Sequence, residues 1–340
     1  MRRQLTLLSS EDLVHLLSPQ LDFKSLCALL ATAHALYRVS GVAVDLSLCD
    51  SKARTVKASW ALEFIRRLGH RFMVVGVATS HCTQGEFDEL LASPGLNNFS
   101  CQGSSSNITS LAGLCRAPTL RRLRLTDRAA RGLTDVSPLA CCLRLETLNL
   151  YGPPNGQQLG HDQLAALALT WLDLRRCGDE AVRGMRTWAD PSRSAAAWSL
   201  TSLNMQGTPL TDADVAALSG LGRLKELDLS LCKRLSSTQP LAGCASLATL
   251  TLTGCLALVD VNGLADCSLL ESLYLTGCTA LCDVSPLEGC PALRMLNVGH
   301  CTKLVDASAL GHCASLETLN LRCSGVNIVP CRPGLRILFA

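Results

Sequence analysis

Cysteine is the residue type in this sequence with the widest choice of chemistry, since 19 of the 340 residues are cysteine and seven more are histidine. Thiols at suitable spacing can bind zinc, pair as disulfides or act as nucleophiles. No C-x-x-C pair occurs, and the histidines show no zinc-like spacing relative to the cysteines. We therefore expect no metal site and no cofactor.

The positions of the cysteines are periodic, which favours a packing role. Two sets recur at fixed distances, eight and twenty residues, after the first leucine of an L-x-x-L-x-L segment: Cys177, Cys232, Cys255, Cys278 and Cys301, then Cys244, Cys267, Cys290 and Cys313. Stacked positions ~5 Å apart are within reach of a disulfide, but their Cβ vectors run parallel. We expect buried, reduced thiols that pack as small hydrophobes, with disulfides as the alternative. Free thiols in this number predict an intracellular, cytoplasmic protein, with the nucleus also open.

The elements that carry these cysteines are repeats of 23 residues. Five successive L-x-x-L-x-L segments begin at Leu224, Leu247, Leu270, Leu293 and Leu316. In such a segment the second and third leucines lie two residues apart and point to the same side of a short strand. One strand cannot bury that side alone, so stacked copies in a parallel sheet are predicted. Earlier copies precede them at less regular spacing, back to about residue 41.

This pattern resembles the leucine-rich-repeat family over roughly 300 residues. The resemblance implies an α/β solenoid, a horseshoe with a parallel β-sheet on the concave face and turns, 3₁₀ helices or short helices on the convex face. We expect this domain to span residues 41–340, with about ten to twelve repeats that are most regular over 223–322. The short D-V-S-P-L return segments favour 3₁₀ pieces, and the longer early units favour true helices.

Residues 1–40 do not fit the repeat and predict a small α-helical element. Residues 7–39 resemble the F-box, the helical module that binds the Skp-type adaptor of cullin ubiquitin ligases. The matching positions are Leu8, Glu11, Leu13, Leu16, Leu17, Leu21 and Leu26. Ser9 replaces the usual proline, and one extra residue separates Leu17 from Leu21. The resemblance implies an adaptor-binding module; the alternative is a helical cap over the end of the solenoid.

A partner is expected on the concave face, where the residues between inward-pointing leucines lie. Arginine, tyrosine and tryptophan are enriched among the residues that dominate protein interfaces. The candidate partner-binding residues are Arg122, Arg124, Tyr151, Trp171, Asp173, Arg175, Asp228 and Tyr274. The alternative is that these are solvated residues of the face with no partner.

Other classes of function find no support in the sequence. No phosphate-binding glycine motif, G-x-S-x-G or H-E-x-x-H is present, so we expect no catalytic residues and no small-molecule substrate. A net charge of +3 lacks the concentrated basic face that nucleic acid requires. No run of about 20 apolar residues predicts a membrane span. The interpretation is a non-catalytic interaction protein, either the substrate-recognition subunit of an SCF-type (Skp–cullin–F-box) ubiquitin ligase or a scaffold with no ubiquitin role.

Overall fold

The computed structural model describes the repeats and leaves the N-terminal segment aside. The described residues are 42–45, 57–68, 72–102, 108–126, 129–130, 132–133, 135–151, 164–179, 199–339 and a few positions between 182 and 192. The F-box-like residues Leu8 to Leu26 lie outside them. The chain divides into two compact units, Met1–Pro153 and Pro154–Ala340.

The first unit contains five parallel strands, each hydrogen-bonded to the next along the chain. They are β1 (Val42–Asp45), β2 (Phe72–Thr79), β3 (Asn98–Gln102), β4 (Arg122–Thr126) and β5 (Thr147–Leu150). The first two return segments are the helices α1 (Ala58–Leu68) and α2 (Gln84–Leu91), and the next two are 3₁₀ helices at Ala112–Arg116 and Ser137–Cys141. Helices in the longer early repeats were predicted, and α1 and α2 confirm them.

Helix α2 shows how a return segment is fixed locally. Thr83 and Glu86 form a capping box, in which each side chain bonds the backbone N–H of the other. This satisfies donors that the first turn of a helix leaves without partners. The buried side of α2 then places Phe87 edge-on against Phe99 of β3, with ring centroids 5.1 Å apart. Strand and helix therefore share one core.

The second unit contains eight parallel strands, again in chain order. They are β6 (Trp171–Asp173), β7 (Ser202–Asn204), β8 (Glu226–Asp228), β9 (Thr249–Thr251), β10 (Ser272–Tyr274), β11 (Met295–Asn297), β12 (Thr318–Asn320) and β13 (Arg336–Leu338). The return segments include the short helix α3 (Asp212–Val215) and 3₁₀ helices at Ala216–Gly220, Gln239–Leu241, Asn262–Leu264, Ser285–Gly289 and Ser308–His312. The predicted 3₁₀ pieces are confirmed.

Strand register in the second unit follows the leucine pattern without slippage. Leu250 pairs with Leu273, and Leu273 with Leu296, so each central leucine stacks on the equivalent leucine of the next repeat. All three are fully buried. Because side chains alternate along a strand, this register directs the residues on either side of each leucine away from the core.

The turn after each strand requires a left-handed residue. Gly254 and Gly277 occupy it with φ of 72° and 74°, whereas Leu231 and His300 occupy the same position with φ of 60° and 59°. Glycine adopts this conformation without steric cost, and other L-residues are strained in it. Within the described residues, no helix is long and apolar enough to cross a membrane.

Candidate protein-binding surface

The cysteine columns are structural, as their hydrogen bonds show. The thiols of Cys255, Cys278 and Cys301 each donate to the carbonyl of a leucine 26 residues earlier, at 3.2, 3.1 and 3.1 Å. Those of Cys290 and Cys313 do the same in the second column, at 3.1 and 3.4 Å. Each thiol therefore bonds backbone of the preceding repeat, and the predicted packing role has a direct physical basis.

Burial also makes these thiols poor nucleophiles. It raises the pKa of Cys244, Cys255 and Cys290 to about 12, and that of Cys301 to about 11. The thiolate is the reactive form, so a raised pKa suppresses nucleophilic and metal-binding chemistry at neutral pH. Among the described residues, no group of three His, Cys, Asp or Glu side chains could hold a metal ion.

One cysteine pair departs from the expectation of reduced thiols. Cys115 and Cys141 form a disulfide, with their Cα atoms 5.0 Å apart. They lie on the 3₁₀ helices of successive repeats, where Ala117 and Cys142 are the equivalent positions. Cys141 is therefore one register position later than Cys115. We infer that this offset lets the two side chains converge, whereas cysteines at equivalent positions stay parallel. The other fifteen described cysteines are free.

The strand face, meaning the side chains that flank the central leucine of each strand, was predicted to bind a partner. In the second unit much of it serves the backbone. Asp or Asn at the third strand position accepts a hydrogen bond from the N–H two residues later: Asp173, Asn204, Asp228, Asn297 and Asn320. This arrangement is an Asx turn, and it closes the bend that follows the strand. Sequence reasoning missed this role, although the recurrence of Asx at one position signalled it.

Two of the predicted partner-binding residues are held within such turns. Asp173 is only 1% exposed, and the Arg175 guanidinium bonds its carboxylate, with Nη2 and Oδ2 2.8 Å apart. Asp228 accepts bonds from the backbone and hydroxyl of Ser230 at 2.9 and 2.6 Å, and from Nδ2 of Asn204 at 3.2 Å. Both carboxylates therefore help to hold the turn together.

Aromatic and apolar candidates on the second unit are partly accessible. Trp171 on β6 is half-buried. Tyr274 on β10 is also half-buried, and its hydroxyl donates to Sδ of Met295 on the adjacent strand at 3.1 Å. Met295 is itself 37% exposed. Such side chains combine an apolar body with a polar contact, which suits a protein interface.

The first unit places two arginines on one strand of its face. Arg122 and Arg124 are exposed, lie two residues apart on β4 and therefore project to the same side. They pair in register with Asn98 and Ser100 of β3. The neighbouring strands, 98–102 and 147–150, carry no carboxylate, so the face is basic here. Tyr151, the third candidate of this unit, is half-buried just after β5.

Comparison with solved structures supports the fold. The internalin InlF from Listeria monocytogenes aligns with a TM-score of 0.52 and 18% identity over 74% of this chain and 78% of its own. Rad7, solved in complex with Elc1 in yeast, gives 0.49 and 16% over 88% and 74%. The LRR ectodomain of GASSHO1/SCHENGEN3 from Arabidopsis thaliana gives 0.48 and 15% over 84% and 37%. The sequence matches no protein-family model and no curated protein. The predicted leucine-rich-repeat solenoid is confirmed.

Proposed function

We propose that this protein is a non-catalytic substrate-recognition subunit of an SCF-type ubiquitin ligase. Residues 7–39 would bind a Skp-type adaptor, and the strand face would bind the protein to be ubiquitinated. The observation that carries the proposal is the order of the chain, in which an F-box-like segment precedes leucine-rich repeats. Two features of the structure support the binding half: an extended strand face, and exposed arginines on it at Arg122 and Arg124.

A reducing compartment, the cytoplasm or nucleus, is part of this proposal. The fifteen free cysteines among the described residues support it, since so many free thiols do not persist under oxidising conditions. The Cys115–Cys141 disulfide stands apart from the two buried columns. A fluorescent fusion of the full chain found in the secretory pathway would contradict this assignment.

The adaptor interaction is tested by capture of a purified Skp-type adaptor on the full-length chain. Leu16→Asp with Leu21→Asp places two charges on the proposed adaptor-binding side, and we expect it to abolish capture. Leu269→Asp is the matched control, because Leu269 is an apolar residue 54% exposed in the repeats. If the wild-type chain fails to capture the adaptor, or the double variant captures it equally well, the ligase role is wrong and the scaffold reading stands.

Target binding is tested separately with Arg122→Glu and Arg124→Glu in one chain. Proteins that accumulate when the protein is depleted provide the candidate targets. We expect the charge reversal to abolish their binding while adaptor capture is unchanged, because the two sites lie on different segments. A control reversal at Arg116, exposed on the return segment of the first unit, should leave target binding intact. Equal target binding by both variants would show that the face of β4 is not the binding site.

A further inference from the structure

An exposed apolar column crosses four successive repeats of the second unit, away from the strand face. Its members lie 23 residues apart in the return segments, and we call them the apolar ladder: Val259, Cys282, Val305 and Ile328. Val259, Val305 and Ile328 are 46%, 47% and 50% exposed, and Cys282 is an exposed free thiol. Contiguous exposed apolar side chains mark sites of interaction, whereas single ones are ordinary.

The backbone beneath the ladder is ordered and already hydrogen-bonded. Val259 N–H donates to Ser236 of the preceding repeat at 3.0 Å, and Ile328 N–H donates to Val305 at 3.3 Å. Neighbouring residues form parallel bridges, as Asp306 does with Ile328. The rungs therefore repeat at about the 4.8 Å spacing of adjacent strands. Because these backbone groups are in use, an occupant would contact the ladder through side chains.

A row of carboxylates runs beside the ladder, one residue further along each repeat. Asp260, Asp283 and Asp306 each accept, through Oδ1, the backbone N–H two residues later, at 3.1, 2.8 and 2.8 Å. The bonds from Ser308 lower the pKa of the Asp306 carboxyl, which favours its charged form. On the other flank, two residues before the ladder, Lys303 is the one charged residue beside Ala257 and Ala280. The apolar column thus has a continuous acidic edge.

We propose that the apolar ladder is the docking site of an amphipathic α-helix from a partner protein, with lysine or arginine along one edge of its apolar stripe. Apolar residues on one side of a helix recur about every 5.4 Å, close to the rung spacing, whereas those of an extended strand recur about every 6.8 Å. Four rungs span about 14 Å, the length of roughly ten helical residues. The basic edge of the helix would face the aspartates. This proposal does not depend on the ligase role.

The direct test uses the full-length chain and three fluorescein-labelled 14-residue helical peptides. All three carry the same leucine stripe; one edge of the stripe is lysine, glutamate or glutamine. We expect the lysine peptide to bind at least tenfold more tightly than the glutamate peptide in fluorescence anisotropy. We expect Val259→Thr, Val305→Thr and Ile328→Thr together to weaken lysine-peptide binding at least tenfold, because threonine keeps the β-branched shape and removes apolar surface. Leu269→Thr, at an exposed apolar residue outside the ladder, is the control.

The acidic edge is tested by Asp283→Asn with Asp306→Asn. Asparagine keeps the Oδ1 acceptor of each turn and removes the charge, so the fold is preserved. We expect about a fivefold loss for the lysine peptide and no change for the glutamine peptide. Equal effects on both peptides, or none on either, would show that charge does not select the occupant.

Cys282 supplies a footprint within the ladder. Saturating lysine peptide should slow its alkylation by a maleimide at least fivefold, whereas exposed Cys323, outside the ladder, should react at its original rate. Three results would overturn the proposal: no preference among the peptides, binding that survives the triple threonine variant, or unprotected Cys282. Concentration-dependent dimers that the triple variant abolishes would also overturn it, because they would assign the ladder to a second copy of the chain.

Discussion

The repeats of residues 72–151 and those of residues 201–322 use the same strand and return segments, but their side chains serve different ends. In the later repeats, strands are three residues long, two columns of thiols bond the preceding repeat, and Asx side chains close the turns. In the earlier repeats β2, β3 and β4 are five to eight residues long, and α-helices replace some 3₁₀ returns. Their face carries arginines where the later face carries turn-closing residues.

The difference teaches that regularity marks the positions whose side chains serve the fold. A position that must close a turn in every repeat is limited to Asp or Asn, as at Asp228 and Asn297. On β4 and β3 the equivalent residues, Arg124 and Ser100, are released from that duty. Partner binding is therefore better sought where the repeat departs from its own pattern. The following four predictions test the contrast, from the largest expected effect to the smallest.

Alkaline pH should destabilise the second unit most, because its buried thiols are held protonated. A thiol whose pKa rises from 9.0 to about 12 on folding contributes stability that is complete below pH 9 and lost as pH rises towards 12. The loss is about 1.4 kcal/mol per thiol for each pH unit, or about 4 kcal/mol at pH 10 for Cys244, Cys255 and Cys290 together. Thermal unfolding from pH 8 to 10.5 measures it. Replacing the three cysteines by alanine should flatten this dependence, and a wild-type curve already flat would contradict the prediction.

Loss of the Cys115–Cys141 disulfide should destabilise the first unit. The bond closes a loop of 26 residues, which corresponds to about 3 kcal/mol of lost unfolded-state entropy. Cys115→Ser should lower the Tm of unfolding followed by hydrogen exchange in β4 and β5, and leave β9 to β12 unchanged. In reductant the variant and the wild type should agree. A non-reducing peptide map without the Cys115–Cys141 cross-link would refute the premise.

Adding one methyl group should have opposite effects at two glycines. A Cβ at Gly263 would lie 2.1 Å from the carbonyl oxygen of Thr238 in the preceding return segment, so Gly263→Ala should cost about 1–3 kcal/mol. A Cβ at Gly85, in helix α2, would meet nothing within 4 Å. Gly85→Ala should therefore stabilise by about 0.5–1 kcal/mol through helix propensity. Chemical denaturation measures both, and changes of the same sign would show that the return segments of the second unit are not tightly stacked.

The smallest effect is expected at His300, which is exposed and left-handed where Gly277 stands one repeat earlier. His300→Gly should remove backbone strain and stabilise by roughly 0.5 kcal/mol after the entropic cost of glycine. His300→Ala should give no gain, because alanine is strained in the same way. A gain with alanine would assign the effect to the imidazole instead of the backbone.

The sequence was sufficient for the fold and for the cysteine columns, because both repeat with the period of the structure. Leucine spacing located the strands of the later repeats and their register. The Asx turns at Asp173 and Asp228 could not be anticipated from residue alternation, which shows the side of a strand and not what a side chain bonds. The disulfide was also missed, because Cys115 and Cys141 differ by one register position and fall in neither column. The F-box-like residues 7–39 and the proposed partner surfaces stay predictions.

The direction of the thiol bonds bears on how such an array can change length. Cys278 donates to Leu252 of the preceding repeat, while Leu275 of its own repeat accepts from Cys301. Every 23-residue unit thus brings one donor and one acceptor, and gaining or losing a whole unit leaves no bond broken inside the array. Duplication or deletion in whole units is therefore the genetic change that these repeats tolerate best. Partial insertions would leave an orphaned carbonyl and a displaced thiol, and selection would remove them.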